Sequence, residues 1–471
     1  MHKKFSRPAR AVYLITLVAV ALPASTLAGG FSLNEQSASA MGTANAGAAA
    51  NPENATTVLF NPAGMSQLSG TNISFGAAVL DIDAEAKPRT IQASNQLGMP
   101  VSGSAGGDIA DPAVLPNFYL THEVSDTIDV GFGIHAPYGL ASDYKDNFKG
   151  RYFADETELT AISFSPSIAV SNGSGLSMGA GINLIYAEGK LTKFQDNSGT
   201  KASATGPDLA PEQGYANIEG DDVGVTFRVG FLYEFNGSTQ VGLTAQTGTT
   251  LELEGDAAFT GLAVLTPPGS PVVGGGAAVG IDSTEPARVP LAIPESATLG
   301  IRHEITDSVT LLVGATYAKW SRFEALNVYG TDSTKPVTGR TSGLITHIPE
   351  KWDNTWQFNL GGVWQATPKW AFKAGYAWDE SPVDKYVTAR IPSSDRHWLS
   401  LGTQWSDASS GWTVDAAVGT LLFTDDAKVS DQPYILTASG TQPNPADPNS
   451  GYEAEYDLSA WSAGIQVSKA F

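Results

Sequence analysis

Long stretches of this chain alternate between apolar and polar residues. In the C-terminal run, Trp461, Ala463, Ile465, Val467 and Phe471 share one face, with Lys469 the exception, while Ser462, Gly464, Gln466 and Ser468 share the other. Met178, Ala180, Ile182, Leu184 and Tyr186 repeat the pattern. So do Trp356, Phe358, Leu360 and Trp364 opposite Gln357, Asn359 and Gly361. Trp370, Phe372, Ala374, Tyr376 and Trp378 oppose Lys373, Gly375 and Ala377, and Leu399, Leu401 and Trp405 oppose Ser400, Gly402 and Gln404. A period of two is the signature of a strand with one apolar face. A strand of about 9–11 residues with such a face crosses an outer membrane, and lipid offers no partner to an open edge, so such strands close into barrels. A soluble sandwich also alternates, but it rarely exposes so many Trp and Tyr near strand ends.

The pattern predicts strands at 70–84, 113–123, 126–136, 157–170, 176–192, 216–235, 239–256, 293–305, 308–322, 353–365, 368–378, 396–406, 411–423 and 455–471, fourteen in all. The even number suits a single-chain bacterial barrel with both ends facing the periplasm. Asn172-Gly173-Ser174, Asn236-Gly237-Ser238, Thr367-Pro368 and Ala408-Ser409-Ser410 read as tight turns. They alternate with long segments at 85–112, 137–156, 193–215, 257–292, 323–352, 379–395 and 424–454. Short periplasmic turns and long outer loops are the rule for such barrels. The fold class is therefore all-β and transmembrane: a 14-stranded antiparallel outer-membrane barrel over 70–471.

Residues 29–69 break the pattern, being rich in Ala, Ser and Gly. Asn51 with Pro52 predicts a capped helix running to about Leu59, and Asn61 with Pro62 predicts a second. A barrel of this size has a lumen that is either water-filled or plugged. This segment reads as a small, partly helical plug. Ahead of it lie a basic start (His2, Lys3, Lys4, Arg7, Arg10), an apolar run from Ala11 to Leu22, Pro23, and Thr26-Leu27-Ala28. That is a cleavable secretory signal over 1–28, too short to span as a helix.

Composition narrows the function. There is no cysteine, so disulfides and thiolate metal sites are excluded. A net charge of −21 leaves no basic face for nucleic acid. It fits solvated acidic loops, which are also suited to bridging lipopolysaccharide through divalent cations. The six histidines (His2, His122, His135, His303, His347, His397) form no metal-binding helix pair, and no Gly-x-Ser-x-Gly elbow or phosphate loop is present. The sequence thus names no catalytic residue, no metal and no cofactor.

Several segments, taken in order along the chain, carry a family likeness. They are Gly30-Phe31-Ser32-Leu33-Asn34-Glu35, Asn61-Pro62-Ala63, Tyr138-Gly139-Leu140-Ala141, Trp320-Ser321-Arg322-Phe323, Ser381-Pro382-Val383, and Ile391-Pro392 followed by Asp395-Arg396-His397-Trp398-Leu399-Ser400. With them the mature chain resembles the FadL-type outer-membrane transporters of long-chain fatty acids and other hydrophobic compounds, which include the toluene porins. The resemblance implies capture of a hydrophobic ligand by outer loops and transfer to a pocket beside the N-terminus. Release follows a shift of that terminus, and the ligand leaves sideways through a kink in the third strand. It also implies a monomer, and a terminal aromatic, here Phe471, read by the barrel-assembly machinery.

On that basis Phe31 is a candidate latch, a large apolar anchor on a mobile end. Asn61, Pro62 and Ala63 mark the plug. Pro137, Tyr138 and Gly139 interrupt strand three, because proline has no N–H to donate and glycine marks bends. Residues of that kind also serve an ordinary strand end entering a loop; the resemblance makes them a lateral gate. Lys193 matches a basic residue that helps hold the ligand carboxylate, with Lys190 an alternative. The family's second basic residue falls at Ile348, flanked by His347 and Lys351, which leaves room for uncharged ligands. The segment 257–292 holds Phe259, Leu262, Val264, Leu265, Val272 and Val273, an apolar set suited to ligand capture or to packing on itself. The leading function is passive uptake of fatty acids. Uptake of aromatic or alkane hydrocarbons, a structural or adhesive barrel, and a general diffusion porin are the alternatives.

Overall fold

In lipid, a strand's backbone groups are satisfied only by neighbouring strands. The computed structural model, which describes residues 30–145, 147–267, 275–332 and 343–471, meets this demand by closing one antiparallel sheet on itself. The predicted signal segment 1–28, Val272 and Val273 lie outside the described residues. The barrel has fourteen strands. They are β1 (Thr71–Ala86), β2 (Ala113–Ser125), β3 (Ile128–His135 and Gly139–Asp143), β4 (Glu156–Phe164 and Ser167–Ser171), β5 (Leu176–Asp196), β6 (Gln213–Asn236) and β7 (Thr239–Gln246 and Thr249–Leu265). Then follow β8 (Ala278–Ile293 and Ser296–Thr306), β9 (Val309–Ala318), β10 (Thr355–Thr367), β11 (Trp370–Asp379), β12 (Arg396–Asp407), β13 (Trp412–Phe423) and β14 (Gly451–Ala470). Closure joins β1 to β14 from Asn72↔Ala470 to Ala86↔Tyr456. At the seam the Phe471 N–H donates to the Thr71 carbonyl at 2.9 Å.

The alternating faces separate as the period-two pattern predicts. Ser462, Gln466 and Ser468 are buried in the lumen, while Trp461, Ile465 and Phe471 point outward. Phe358, Leu360, Trp364, Phe372 and Leu401 are likewise exposed. In water such a surface would aggregate; as an apolar band it faces lipid. The short connections, including Asn172-Gly173-Ser174 and Asn236-Gly237-Ser238, sit at the same end as the first and last barrel residues. At the opposite end the strands outrun the bilayer. At about 3.3 Å per residue, the 21 residues of β5 and the 24 of β6 rise well beyond an apolar band about 25 Å tall.

This extension corrects one expectation. The segment 257–292 is mostly strand, because β7 and β8 stay paired from Thr249↔Ile293 to Leu265↔Ala278. A bulge between Phe259 and Leu262, with Pro286 in the partner strand, blurs the sequence periodicity there without ending the ladder. Outside the membrane the outer segments also build their own hairpin, Ala325–Gly330 against Leu344–Pro349.

The segment from Phe31 to Leu68 lies inside the barrel as short turns of helix: α1 (Ala38–Met41), α2 (Thr57–Phe60) and a 3₁₀ turn over Pro62–Gln67. Asn61 caps that 3₁₀ turn, its Oδ1 accepting from the Ala63 N–H at 3.1 Å. The helix predicted from Asn51 begins only at Thr57. Its would-be first turn is drawn to the wall instead, because Lys373 of β11 donates to Glu53 at 2.6 Å and to Asp415 of β13 at 3.2 Å. Small residues let plug and wall touch backbone to backbone. A Cβ at Gly242 would lie 1.8 Å from the Ala49 carbonyl oxygen, and one at Gly375 would lie 2.0 Å from the Thr43 carbonyl carbon. Polar side chains bond the plug and wall backbones across the contact: wall Asn359 donates to the Ala44 carbonyl at 2.6 Å, and plug Asn61 donates to the Phe231 carbonyl of the wall at 3.0 Å.

The Lys373 side chain is only 1% exposed, so its removal strands two carboxylates in the lumen. Breaking a buried ion pair from one side typically costs about 3–5 kcal/mol. Lys373→Met is expected to leave the barrel inserted but to speed amide exchange across 38–60, measured by hydrogen-exchange mass spectrometry; unchanged exchange would show that the ion pairs do not hold the plug.

Candidate functional site: an apolar pocket latched beside a break in the wall

Strand β3 breaks at Ala136-Pro137-Tyr138. Below the break Ile134 faces Phe118 of β2. Above it, Gly139–Asp143 pairs with β4, from Gly139↔Thr160 to Asp143↔Glu156, and has no β2 partner among the described residues. On the other side, Ala113–Asn117 of β2 pairs with β1 alone. Proline has no N–H and cannot continue the ladder. The wall therefore has a gap in its pairing between β2 and the upper part of β3.

The N-terminal segment covers the β3 side of this gap. Ser32 bridges to Tyr138. The Leu33 N–H donates to the Pro137 carbonyl at 3.1 Å, and the Gly139 N–H donates to the Phe31 carbonyl at 2.9 Å. The Gln36 side chain donates to the Ala136 carbonyl, and the Tyr119 hydroxyl donates to the Gln36 carbonyl at 3.2 Å. The first residues thus act as a short added strand.

That strand carries Phe31 into a box of aromatic rings. Ring centroids lie 4.6 Å away at Trp320, 5.7 Å at Phe323, 5.7 Å at Trp352 and 5.9 Å at Tyr138. Phe31 is 1% exposed. Gly30, at φ 67°, lets the chain pass over Trp320, where a Cβ would lie 2.5 Å from the indole. The Trp352 indole N–H donates to Glu350 at 3.0 Å. Burial holds the Glu350 carboxyl well above the usual carboxylate range.

Beneath Phe31 lies a narrow apolar pocket of about 40 Å³, lined by Leu159, Leu191, Ile218, Leu253, Leu291 and Leu326 among others. Lys190 stands at its edge but is paired with Glu156 at 2.5 Å. Nearer the outer rim is a second, larger cavity of about 390 Å³, where Lys193, Phe259, Leu262, His347, Ile348 and Asp431 meet. Lys193 takes part in no ion pair among the described residues. Asp431 is pushed up to about 6, chiefly by burial and against the pull of the Ala389 N–H, Arg390 and Lys193. His347 is lowered by burial and by Lys351, and its ring is bonded to Asn327 at 2.6 Å and to Thr441 at 2.9 Å.

A plugged barrel with a wall break closed by its own N-terminus has known relatives. Residues 19–471 match the family model described as outer membrane protein transport protein (OMPP1/FadL/TodX). The chain belongs to this family. Its members are transport proteins. A 47 kDa outer membrane protein of Pasteurella multocida is 29% identical over 403 residues, 83% of this chain and 87% of the relative. A long-chain fatty acid transport protein of Escherichia coli is 25% identical over 470 residues, 96% of this chain and 97% of the relative. Among solved structures, a Pseudomonas aeruginosa FadL homologue shares the fold with a TM-score of 0.77 at 20% identity, covering 94% of this chain and 100% of that one. Like its relatives named as outer membrane proteins, this family member is an outer-membrane barrel.

The structure brings together three of the residues singled out for ligand capture in this family member, Lys193, Phe259 and Leu262, and sets Ile348 beside them. It places Leu265 elsewhere, 43% exposed near the hairpin tip. Asn61, Pro62 and Ala63 sit low in the plug, with Ala63 packed against Ala50 and Leu232. Pro137, Tyr138 and Gly139 meet Phe31 directly. The sequence reading missed the box itself. Phe323 and Trp352 bound the segment 323–352 read as outer loop, Trp320 falls at the end of the strand read at 308–322, and these three large aromatics were the available signal. Removing a buried Phe ring commonly costs about 3–5 kcal/mol. Phe31→Ala is expected to free the N-terminal strand while the barrel stays folded, seen as faster protease cleavage after Leu33 in a heat-modifiable barrel; unchanged protection would mean that the backbone bonds alone hold the segment.

Proposed function

We propose that the protein carries long-chain fatty acids, or similar hydrophobic molecules, passively through the outer membrane. The observation that carries this reading is that one short strand both roofs the apolar pocket and covers the gap between β2 and β3. A ligand enters the outer cavity, where Phe259 and Leu262 take its chain and Lys193 its carboxylate. It then moves to the apolar pocket under Phe31. When Phe31 leaves its box, the strand it belongs to comes away from Pro137 and Gly139, and the ligand leaves sideways into the membrane. Burying a methylene gains about 0.8 kcal/mol in pocket and bilayer alike, so no step demands ATP, and consumption of the ligand sets direction.

In this reading 29–69 is the plug, 70–471 the barrel, and 1–28 a cleaved signal. The barrel works as a monomer set in outer-membrane lipid and lipopolysaccharide, is assembled through recognition of Phe471, and catalyses no reaction. A second reading, uptake of uncharged hydrocarbons, is favoured by Ile348, which puts an apolar side chain in the outer cavity where the resemblance calls for a base. A structural or adhesive barrel would need neither an apolar pocket nor a removable roof.

Two measurements test the reading. A charge-assisted hydrogen bond contributes about 1.5–3 kcal/mol, so Lys193→Ala should weaken laurate binding by about tenfold or more and leave dodecane binding unchanged; equal loss of both would refute the charge role. Asp431 adds a pH dependence. Above about 6 it is an anion that offsets Lys193, and below it is neutral. Lys193, itself pushed down to about 8 chiefly by burial, also gains charge as the pH falls, so laurate should bind more tightly at pH 5.5 than at pH 7.5. Binding that weakens over the same interval would contradict it.

For the exit, replacing Pro137 and Gly139 together with valine should extend the β3 ladder and stop uptake of radiolabelled laurate by cells while the barrel remains inserted. Normal uptake would put the exit elsewhere.

A further inference from the structure

A third cavity, of about 210 Å³, lies on the far side of the N-terminal strand, between plug and wall. Ser32, Gln36, Tyr138, Arg228, Thr298 and Thr316 are among its lining residues. Where the pocket under Phe31 is apolar, this chamber mixes polar and apolar walls, and the Phe31–Leu33 strand stands between the two.

Arg228, on β6, is the cation of this chamber. Its Nη1 donates to the Leu59 carbonyl at 2.5 Å and to the Val58 carbonyl at 3.4 Å, and its Nη2 to Gln246 Oε1 at 2.7 Å. Those bonds orient the guanidinium without neutralising it. No ion pair among the described residues includes it. By contrast, Lys373 is matched by Glu53 and Asp415, and Arg396 by Asp379 at 2.6 Å. A guanidinium has five N–H donors in a rigid fork, and the bonds above leave part of that fork free. Gln246 also donates to the Tyr138 hydroxyl at 3.4 Å, which ties the charge to the break in β3.

We propose that this chamber is an anion-binding site, in which Arg228, oriented by Gln246, receives the carboxylate of an amphiphilic ligand after Phe31 has moved. The inference rests on the transport reading above. A carboxylate leaving Lys193 loses its counter-charge and meets none in the apolar pocket, where Lys190 is already paired with Glu156. Arg228 supplies the next one, through the paired N–H···O geometry that suits a carboxylate. With the head held there, the chain is free to point at the gap between β2 and β3, so that an acid leaves tail first. An uncharged hydrocarbon gains nothing from this site.

The test uses the full mature protein in neutral maltoside micelles, with Phe31→Ala to open the roof, and laurate labelled with carbon-13 at the carboxyl. Two protein-bound carboxyl resonances are expected at pH 7.5. Lys193→Ala should remove one and Arg228→Gln the other, while Arg228→Lys should keep both. Thr316→Phe, which fills the chamber and leaves Arg228 in place, should remove the same resonance as Arg228→Gln and decides the matter if that variant fails to insert. A single resonance that disappears with Lys193→Ala alone would overturn this inference and leave the transport reading standing. No bound resonance in any variant would overturn both. Persistence of both resonances in Arg228→Gln would also overturn it.

Discussion

The constraint on which the rest depends is that a backbone amide or carbonyl facing lipid needs a partner. Closing β1 onto β14 removes the free edges of the sheet. It also makes any break in the ladder costly unless something covers it. At Pro137 the chain supplies the cover from its own N-terminus, through the Leu33 and Gly139 N–H bonds. The same residues roof the apolar pocket. Phe31 therefore couples wall and pocket, because the two share one short strand.

Charge along the lumen divides into cations held in ion pairs and cations that are not. Lys373 and Arg396 are each met by carboxylates and bind plug to wall or strand to strand. Lys190 is satisfied by Glu156 at the edge of the apolar pocket. Lys193 and Arg228 have no such partner among the described residues, and they line cavities on opposite sides of that pocket. A desolvated cation without a counter-ion is unfavourable, and a transient anionic ligand is one way to satisfy it.

The plug shows how small side chains serve a large barrel. Ala, Ser and Gly between Phe31 and Leu68 let its backbone lie directly on wall glycines such as Gly242 and Gly375, and wall amides such as Asn359 satisfy its carbonyls. Contact of this kind is extensive but thin in apolar area. Ion pairs such as Lys373 with Glu53 supply specific anchoring that packing of small residues lacks.

By itself the sequence determined the barrel, its strand number, the lipid-facing residues and the sense of its turns, because period-two alternation and turn residues are local and lipid enforces them at every strand. It also singled out Phe31, Lys193 and Pro137-Tyr138-Gly139 through an ordered likeness to a family. The true extent of β7 and β8 was hidden, since a bulge at Phe259–Leu262 shifts the alternation while the ladder continues. The helix at Asn51 was overruled by an ion pair to a residue more than three hundred positions away. Only the tertiary structure decided that Trp320, Phe323 and Trp352 enclose Phe31, that Leu265 stands apart from Phe259 and Leu262, and that Lys190 is paired whereas Arg228 is not. Those outcomes depend on which strands become neighbours around the closed sheet and where the N-terminus returns to meet them, and no local pattern encodes either.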